Sequence, residues 1–546
     1  GALTASVETM QEAVVGDSGS GIRLLMTAVA GLMLIACLNL ANAQLGRTLG
    51  RQREAAVRAA LGASKWRLAW SSLAESLVLA IVGGSGGVLL AAVGLRLFRS
   101  YSPVDIPRLA EVHLNWSVLL FSVALTLSCS ILCGMLPMLR LLRVDPQKAL
   151  QRNSTRNVGS RQSRGLRGAL IGLQVFGCTV LLLVTGLFAK SLLHLMEQDR
   201  GFETEHATVA EVRLTQKSYG TDAKLVEFDD GVLRNLRNIP GVKAAGMVSA
   251  MPLEGETWIE SLRRTDRRDE KVPLINLRWA SPGYFEAIQT RLVAGRLFEE
   301  RDRELKNVIL SESEAKALWG TGDPIGGEVL LRGQKMTVIG VVADSRNTSL
   351  KAAPPKMAWM MFNQQTPFQT FFMVRGTRPG DSLATAVRQA IWAHAPGVTI
   401  ARVKSMDSQL RDSLAPERFQ TMVLTAFGGA GLLLAMLGIY GVLSYSTAAR
   451  QPEIGVRMAL GATRAKIYAL TMGEAGVPVL LGLAGGLGAS ALAGRAIQSL
   501  LYGVRPVDFP VMAMVCGLFV TAAVAAAFVP ARRAAAVDPM ETLRAE

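Results

Sequence analysis

Two stretches of this chain, RQREAAVRAALGASK (Arg51–Lys65) and RQPEIGVRMALGATR (Arg450–Arg464), lie 399 positions apart and align without a gap. Nine of the fifteen positions are identical, and Ser64/Thr463 and Lys65/Arg464 are conservative exchanges. Each stretch follows a long apolar run. A charged segment repeated at such a distance marks an internal duplication, and the rest of the chain is read from it.

The repeat extends beyond these fifteen residues. At the same offset Glu75 matches Glu474, Gly83 matches Gly482, Gly86 matches Gly485 and Gly87 matches Gly486. Further on the offset falls to 393, where Pro137, Arg140, Asp145, Pro146 and Leu150 match Pro530, Arg533, Asp538, Pro539 and Leu543. Each copy therefore reads helix, basic segment, helix, outer loop, helix, basic tail.

Seven segments are apolar for about 20 residues or more, enough at about 1.5 Å per residue to cross a hydrocarbon core of about 30 Å. They are 22–43, 72–96, 116–137, 168–192, 420–446, 475–500 and 510–529. The 546 residues are 50% hydrophobic and only 19% charged, with 53 glycines, which fits membrane segments better than one large soluble core. The net charge is +16. Its Lys and Arg crowd into alternate loops, among them Arg47–Arg67, Arg140–Arg167 and Arg450–Lys466, while loops 98–115 and 501–509 are poor in them. The positive-inside rule puts the basic loops in the cytoplasm and residues 194–418 outside. The basic excess is thus a topology signal that also suits anionic lipid. Nucleic-acid binding is set aside, because no reading motif accompanies the charge.

The five cysteines (Cys37, Cys129, Cys133, Cys178 and Cys516) all fall in apolar runs, and the four histidines are scattered. No disulfide framework or cofactor motif follows from them, and the i, i+4 pair Cys129/Cys133 is read as small residues packed in a membrane helix rather than as a metal pair. Residues 1–20 are polar, start without Met and carry no signal pattern, and are read as the tail of a truncated frame.

In the repeated segment, spacings of three and four put Arg450, Glu453 and Arg457 on one helical face, and Arg51, Glu54 and Arg58 do the same. Val456 and Leu460 (Val57 and Leu61 in the first copy) form a neighbouring apolar strip. Gly461 and Gly62 suit the left-handed residue that ends a helix. Thr463 and Ser64 suit the N-cap of the next helix, with the hydroxyl accepting backbone N–H bonds. The expected element is a short amphipathic helix at the cytoplasmic face, a sharp turn, and a rise into the membrane. Anchoring on headgroups would explain the arginines and the apolar strip. It does not explain a glutamate at the same place in both copies, which a protein partner does. The pairs Gly83/Gly87 and Gly482/Gly486 are small-xxx-small spacings that let helix backbones approach in lipid.

RQPEIGVRMALGATR, with GIYGVLSYSTAAR before it and PARRAAAVDPMETLRAE at the end, resembles the FtsX/MacB-like permease family of ABC transporters. The segments SPGYFEAIQTRLVAGRLFEERD, NVILSESEAKALWGTGDPIGGEVLL and TVIGVVADSR resemble the family's periplasmic core domain. The doubling is most similar to the tandem-duplicated acidobacterial-type permeases, here truncated at the N-terminus. The resemblance implies a membrane α-helical fold of about seven transmembrane helices in two repeated FtsX-like units, with one complete α+β periplasmic domain. The implied layout begins with a remnant of a first periplasmic domain (1–20) and a first FtsX-like unit (21–150). A basic cytoplasmic linker (151–167), a helix leading outward (168–193), a MacB-like core domain (194–418) and a second FtsX-like unit (419–546) follow. It implies an ABC ATPase dimer as partner, with Arg51, Glu54, Arg58, Gly62, Arg450, Glu453, Arg457 and Gly461 as its coupling segments. Membrane lipids and a periplasmic or outer-membrane protein are further partners in the family. The implied activity is mechanotransmission, used by relatives to expel drugs or peptides, extract lipoproteins or control wall hydrolases. A G-x-x-x-x-G-K-[ST] loop does not occur in the sequence, so no ATPase activity is expected of this chain. The alternative is an ATP-independent receptor or scaffold that binds a wall enzyme or lipoprotein.

Residues 194–418 mix strand-like runs (TVAEVRL, INLRWA, NVILS, MTVIGVVAD) with helical ones (AKLVEFDDGVLRNLRN, SLATAVRQAIWAHA), the pattern of an α+β domain that leaves room for two subdomains. Its five tryptophans are read as core. Asp229–Asp230 and Glu299–Glu300 are read as solvated surface rather than catalytic pairs, because adjacent residues do not face each other. Glu75 and Glu474 are expected to pair with nearby arginines.

Overall fold

The computed structural model describes residues 18–50, 65–101, 115–142, 161–215, 217, 219–255, 258–266, 274–362 and 369–536. They fall into two compact units, a membrane unit within Gly1–His194 and Glu417–Glu546 and an outer domain, Leu195–Pro416.

The membrane unit is helical. Its first half holds α1 (Ser18–Gly50), α2 (Lys65–Tyr101), α3 (Trp116–Leu142) and the start of α4 (Arg161–Glu197). Its second half holds α10 (Ala415–Ala449), α11 (Gln451–Ala459), α12 (Arg464–Ala496) and α13 (Phe509–Ala535). Among the described residues six of these are long and apolar enough to cross a membrane, and α3 is apolar over Trp116–Ile131. The helices outrun their apolar stretches. α4 starts at Arg161, inside the segment read as a linker, and α12 covers Arg464–Ala496 rather than 475–500. Hydrophobicity marks only the part in lipid, while backbone hydrogen bonding carries the helix on into water. α2 exposes Val78, Leu79, Ile81, Val82, Leu89 and Leu90, a face that is stable only against hydrocarbon. α4 runs through the core, where Ile171, Val175, Cys178, Leu183 and Leu187 are buried with Leu424, Ile439, Leu483 and Phe519.

The outer domain is a mixed sheet with helices packed on it, in two parts joined by the single strand pair Val248–Ala280. Its strands are β1 (Ala207–Arg213), β2 (Val242–Val248), β3 (Ile259–Arg264), β4 (Leu274–Ala280), β5 (Leu292–Gly295) and β6 (Asn307–Ser311). They continue with β7 (Glu328–Leu331), β8 (Gln334–Val342), β9 (Met357–Met361), β10 (Gln369–Gly376) and β11 (Thr399–Ser405). The order is β11-β1-β10-β2-β4-β3-β7-β8-β6-β9, with β5 added beside β8. Because β9 pairs with β4 as well as β6, the strands β4, β3, β7, β8, β6 and β9 close into a ring. β11, β1, β10 and β2 form an open wing. α5 (Asp222–Arg237) packs on β2 of this wing, and α8 (Gly380–His394) packs on β1, β10, β11 and α5, while α6 (Tyr284–Ile288), α7 (Glu312–Trp319) and α9 (Met406–Ser413) are short helices between strands and before α10. The strands read MAWMM and QTFFMVRG because both their faces are covered; β9 is buried at every position.

Buried charges tie the domain together. The Arg278 guanidinium is fully buried and donates to the Ala250 carbonyl (2.9 Å) and Asn347 Oδ1 (2.8 Å). Arg375 donates to the carbonyls of Ala287 (2.7 Å), Glu205 and Glu203 (2.8 Å). Two readings of the sequence are corrected by these contacts. Trp359 and Trp279 are core, but Trp258 and Trp392 are exposed. Asp229 is not solvated: it lies on the inner side of α5, fully buried, with its carboxyl pushed well above the ordinary value by burial and then by Asp230. Asp230 instead takes a two-pronged ion pair from Arg303 (2.5 and 2.6 Å).

Candidate functional site

The second copy of the repeated segment forms a compact elbow. α10 ends at Ala449, and Arg450 caps α11, whose first turn contains Pro452, a residue suited to a position where no N–H bond is needed. Arg457 Nη2 lies 2.6 Å from Glu453 Oε1 one turn away, and both side chains are half exposed. An exposed pair of this kind adds only about 0.3–0.5 kcal/mol to the helix. Its value is therefore as a charged surface rather than as a brace.

What seats the elbow is apolar. Ile454 is buried against Ile467 at the base of α12 and Ala534 at the end of α13, with Met458 and Ala462 beside them. The opposite side leaves Leu460 83% exposed and Val456 45% exposed, flanking the Glu453–Arg457 pair. The helix thus has one face fixed to two membrane helices and another that presents apolar and charged groups outward.

The turn that follows is built as expected. Gly461 has φ +91°, and the N–H groups of Gly461 and Ala462 bond back to the carbonyls of Met458 (3.0 Å) and Arg457 (2.9 Å). That reciprocal pair closes the helix end and needs a residue tolerant of positive φ. Thr463 has the extended backbone of an N-cap, but its side chain accepts no capping bond, which corrects the expected role of its hydroxyl. Arg51, Glu54, Arg58 and Gly62, the first copy, lie outside the described residues.

The two glycine pairs differ. A Cβ at Gly482 would run into the Gly172 carbonyl and Val175, and one at Gly486 would sit 2.7 Å from Thr179 Cβ, so both lie against α4. A Cβ at Gly83 or Gly87 would meet nothing within 4 Å among the described residues. The second pair thus lies against a neighbouring helix, whereas a methyl at Gly83 or Gly87 would meet no described neighbour.

The sequence reading missed a set of bonds that holds α4. Gln174 Nε2 donates to the Leu434 carbonyl (2.8 Å) and Thr185 Oγ1 to that of Leu424 (3.0 Å), which join α4 to α10. At the outer end Lys190 Nζ pairs with Asp508 Oδ2 (2.6 Å), Ser191 Oγ accepts from Tyr502 N–H (2.8 Å), and His194 Nδ1 lies 3.0 Å from the Gly503 carbonyl. Polar residues inside apolar runs were the available signal, since such groups in lipid mark interhelical contacts.

Comparison with known proteins finds two family matches on the chain. Residues 26–146 and 425–539 both match the FtsX-like permease C-terminal family, and residues 168–391 match the MacB-like periplasmic core domain. The chain is 27% identical over 54% of its length to the probable syringafactin export ATP-binding/permease protein SyfD of Pseudomonas syringae, covering 45% of that protein. It is 25% identical over 58% of its length to the uncharacterized ABC transporter permease YknZ of Bacillus subtilis, covering 79% of it. It is 26% identical over 71% of its length to the macrolide export ATP-binding/permease protein MacB of an Azoarcus species, covering 57% of it. The chain thus spans about half the length of the two ATP-binding/permease relatives. Among solved structures, the periplasmic region of MacB from Actinobacillus actinomycetemcomitans matches at 15% identity and a TM-score of 0.28, over 40% of this chain and 96% of that one. The apolar helices and the match to a periplasmic domain make this a membrane protein with an extracellular segment.

Proposed function

Because this chain belongs to the FtsX/MacB-like permease family of ABC transporters, we propose that it is the permease subunit of an exporter or extractor driven by a separate ABC ATPase. It sits in a bacterial plasma membrane with residues 194–418 outside. The two copies of the repeated segment, around Glu54 and Glu453, dock on an ATPase dimer. Closure of that dimer on ATP moves the helices, and the movement reaches the outer domain. The chain itself hydrolyses nothing.

The observation that carries this reading is the two-faced α11. Ile454 fastens it to α12 and α13, while Leu460, Val456 and the Glu453–Arg457 pair face outward. Apolar side chains with both signs of charge beside them suit a protein groove better than a lipid surface, which favours cations alone. A force applied to that face is passed to two membrane helices through buried contacts.

The test is charge reversal of both copies, Glu54→Arg with Glu453→Arg, in the full chain expressed in its own host. The ABC ATPase should copurify with the unaltered protein and be lost from the double variant, while α-helix content and yield stay unchanged. Undiminished copurification would remove the docking role from these segments.

A further inference from the structure

At the offset that defines the repeat, Asn39 of α1 corresponds to Gly438 of α10, and Ile35 corresponds to Leu434. In the structure these equivalent positions meet. Asn39 Nδ2 donates to the Leu434 carbonyl at 2.6 Å, and Gln174 Nε2 of α4 donates to the same oxygen at 2.8 Å. A Cβ at Gly438 would collide with the side-chain oxygens of both amides. Next to it, Ile35 lies against α10: its Cδ1 is 3.7 Å from where a Cβ of Gly431 would be.

The chemistry of the contact is one-directional. A helix carbonyl has a second lone pair beyond the one used within the helix. It is open to an outside donor only where the side chain four residues on leaves room, and at position 438 there is none. The same place in the first repeat holds Asn39 itself, so the Ile35 carbonyl is flanked by a side chain where Leu434 is bare. The first repeat supplies the donor and the second the notch. Two identical repeats related by a two-fold axis would have to use the same residue on both sides.

We propose that Asn39 and Gly438, with Gln174 as second donor, form a directional lock that pairs the first repeat with the second and disfavours pairing of like repeats between two copies of the chain. In lipid, helix association draws on close packing and interhelical hydrogen bonds rather than on exclusion of water, so one amide in a fitted notch biases partner choice. A single buried Asn sets register and partner in coiled coils by the same logic. The lock does not depend on ATPase docking, and it would stand if the elbows had another role.

The test uses the full chain in native membranes with Cys37, Cys129, Cys133, Cys178 and Cys516 replaced by Ala. Ile35→Cys with Gly431→Cys reports unlike pairing through a short bifunctional thiosulfonate. A Cβ at Gly431 meets only ordinary contacts, the nearest at 3.4 Å, so the new side chain fits. Either cysteine alone reports like pairing as a crosslinked dimer. The expected result is an intrachain crosslink in the double-cysteine chain and no dimer from either single one. Asn39→Leu keeps the side chain's bulk and removes only the amide, and Gly438→Leu fills the notch. Each should lower the intrachain yield at least threefold and bring up crosslinked dimers from the single-cysteine chains. If the Gly438→Leu chain does not accumulate, the Asn39→Leu chain decides alone. An unchanged intrachain yield in Asn39→Leu, or like-with-like dimers before any lock residue is altered, would overturn the proposal.

Discussion

Lys190 Nζ lies 2.6 Å from Asp508 Oδ2, while the other oxygen of the same carboxylate accepts the Val511 N–H at 3.2 Å and so caps the start of α13. One aspartate thereby fastens the outer end of α4 to the first turn of the last helix. Together with Ser191–Tyr502 and His194–Gly503, it makes that end of the membrane unit a braced corner.

Removing the two functions of Asp508 separately should give graded losses. Asp508→Asn keeps a good cap and loses the ion pair, at a cost of up to about 1 kcal/mol. Asp508→Ala loses both and should cost about 2 kcal/mol. Burial raises the Asp508 pKa, but the bonds from Lys190 and the Val511 N–H outweigh it and leave the carboxyl below its ordinary value. For a depressed acid, the stabilisation is complete above the unfolded-state pKa and lost as pH falls through the folded value. Thermal unfolding in detergent should therefore show a constant gap between Asp508→Asn and the unaltered chain from pH 8 to 5, narrowing only below about pH 4. A gap that shrinks near pH 7 would mean that another group carries the effect.

Gly482 and Gly83 occupy the same place in the repeat and should respond oppositely to alanine. At Gly482 the new methyl meets the Gly172 backbone carbonyl, which cannot swing away, so α12 must shift from α4. Overpacking of this kind costs about 1–3 kcal/mol. At Gly83 the methyl meets nothing among the described residues, and replacing a mid-helix glycine should stabilise by about 0.5–1 kcal/mol. Melting temperatures of the two single variants in one detergent would settle the sign of each. A loss at Gly83 equal to that at Gly482 would mean that the first pair is packed as well.

These contrasts mark what the sequence could convey. The apolar helices and the two-fold repetition were legible because apolar length and identical spacing are local quantities, readable without knowing what touches what. The Gly461 turn was legible for the same reason, since positive φ after a helical run is a property of one residue. Contacts between distant elements were not. Gly83 and Gly482 look alike in sequence, and only the presence of α4 beside one of them separates their roles. Asp229 and Asp230 are neighbours that read as one solvated pair, yet the helical turn of 100° per residue sends one into the core and the other to Arg303. The ring closed by β4 and β9 joins residues some eighty positions apart, with no mark in either strand beyond apolarity.

The outer domain should weaken as pH rises, the reverse of the usual carboxylate behaviour. Glu314 is fully buried, its nearest cation, Lys356 Nζ, is 3.5 Å away, and burial outweighs that charge and pushes the carboxyl up to about 7. Asp229 is shifted in the same direction by burial and by Asp230. A carboxyl whose folded pKa is raised binds its proton more tightly folded than unfolded. Its contribution is therefore most favourable below the ordinary glutamate value and declines as pH climbs to the folded value. Between about 4.5 and about 7 the decline for Glu314 is on the order of 3 kcal/mol. Glu314→Gln carries no titrating proton and should raise the unfolding temperature at pH 8, change it little at pH 5, and flatten the slope between them. Lys356→Met removes the one opposing charge and should move the slope to higher pH rather than abolish it. Tryptophan fluorescence reports the transition, because Trp279 and Trp359 are buried in the same core. If Glu314→Gln leaves the pH slope of that transition unchanged, the buried glutamate is not its source and the slope must be assigned to Asp229, whose own amide variant then becomes the deciding one.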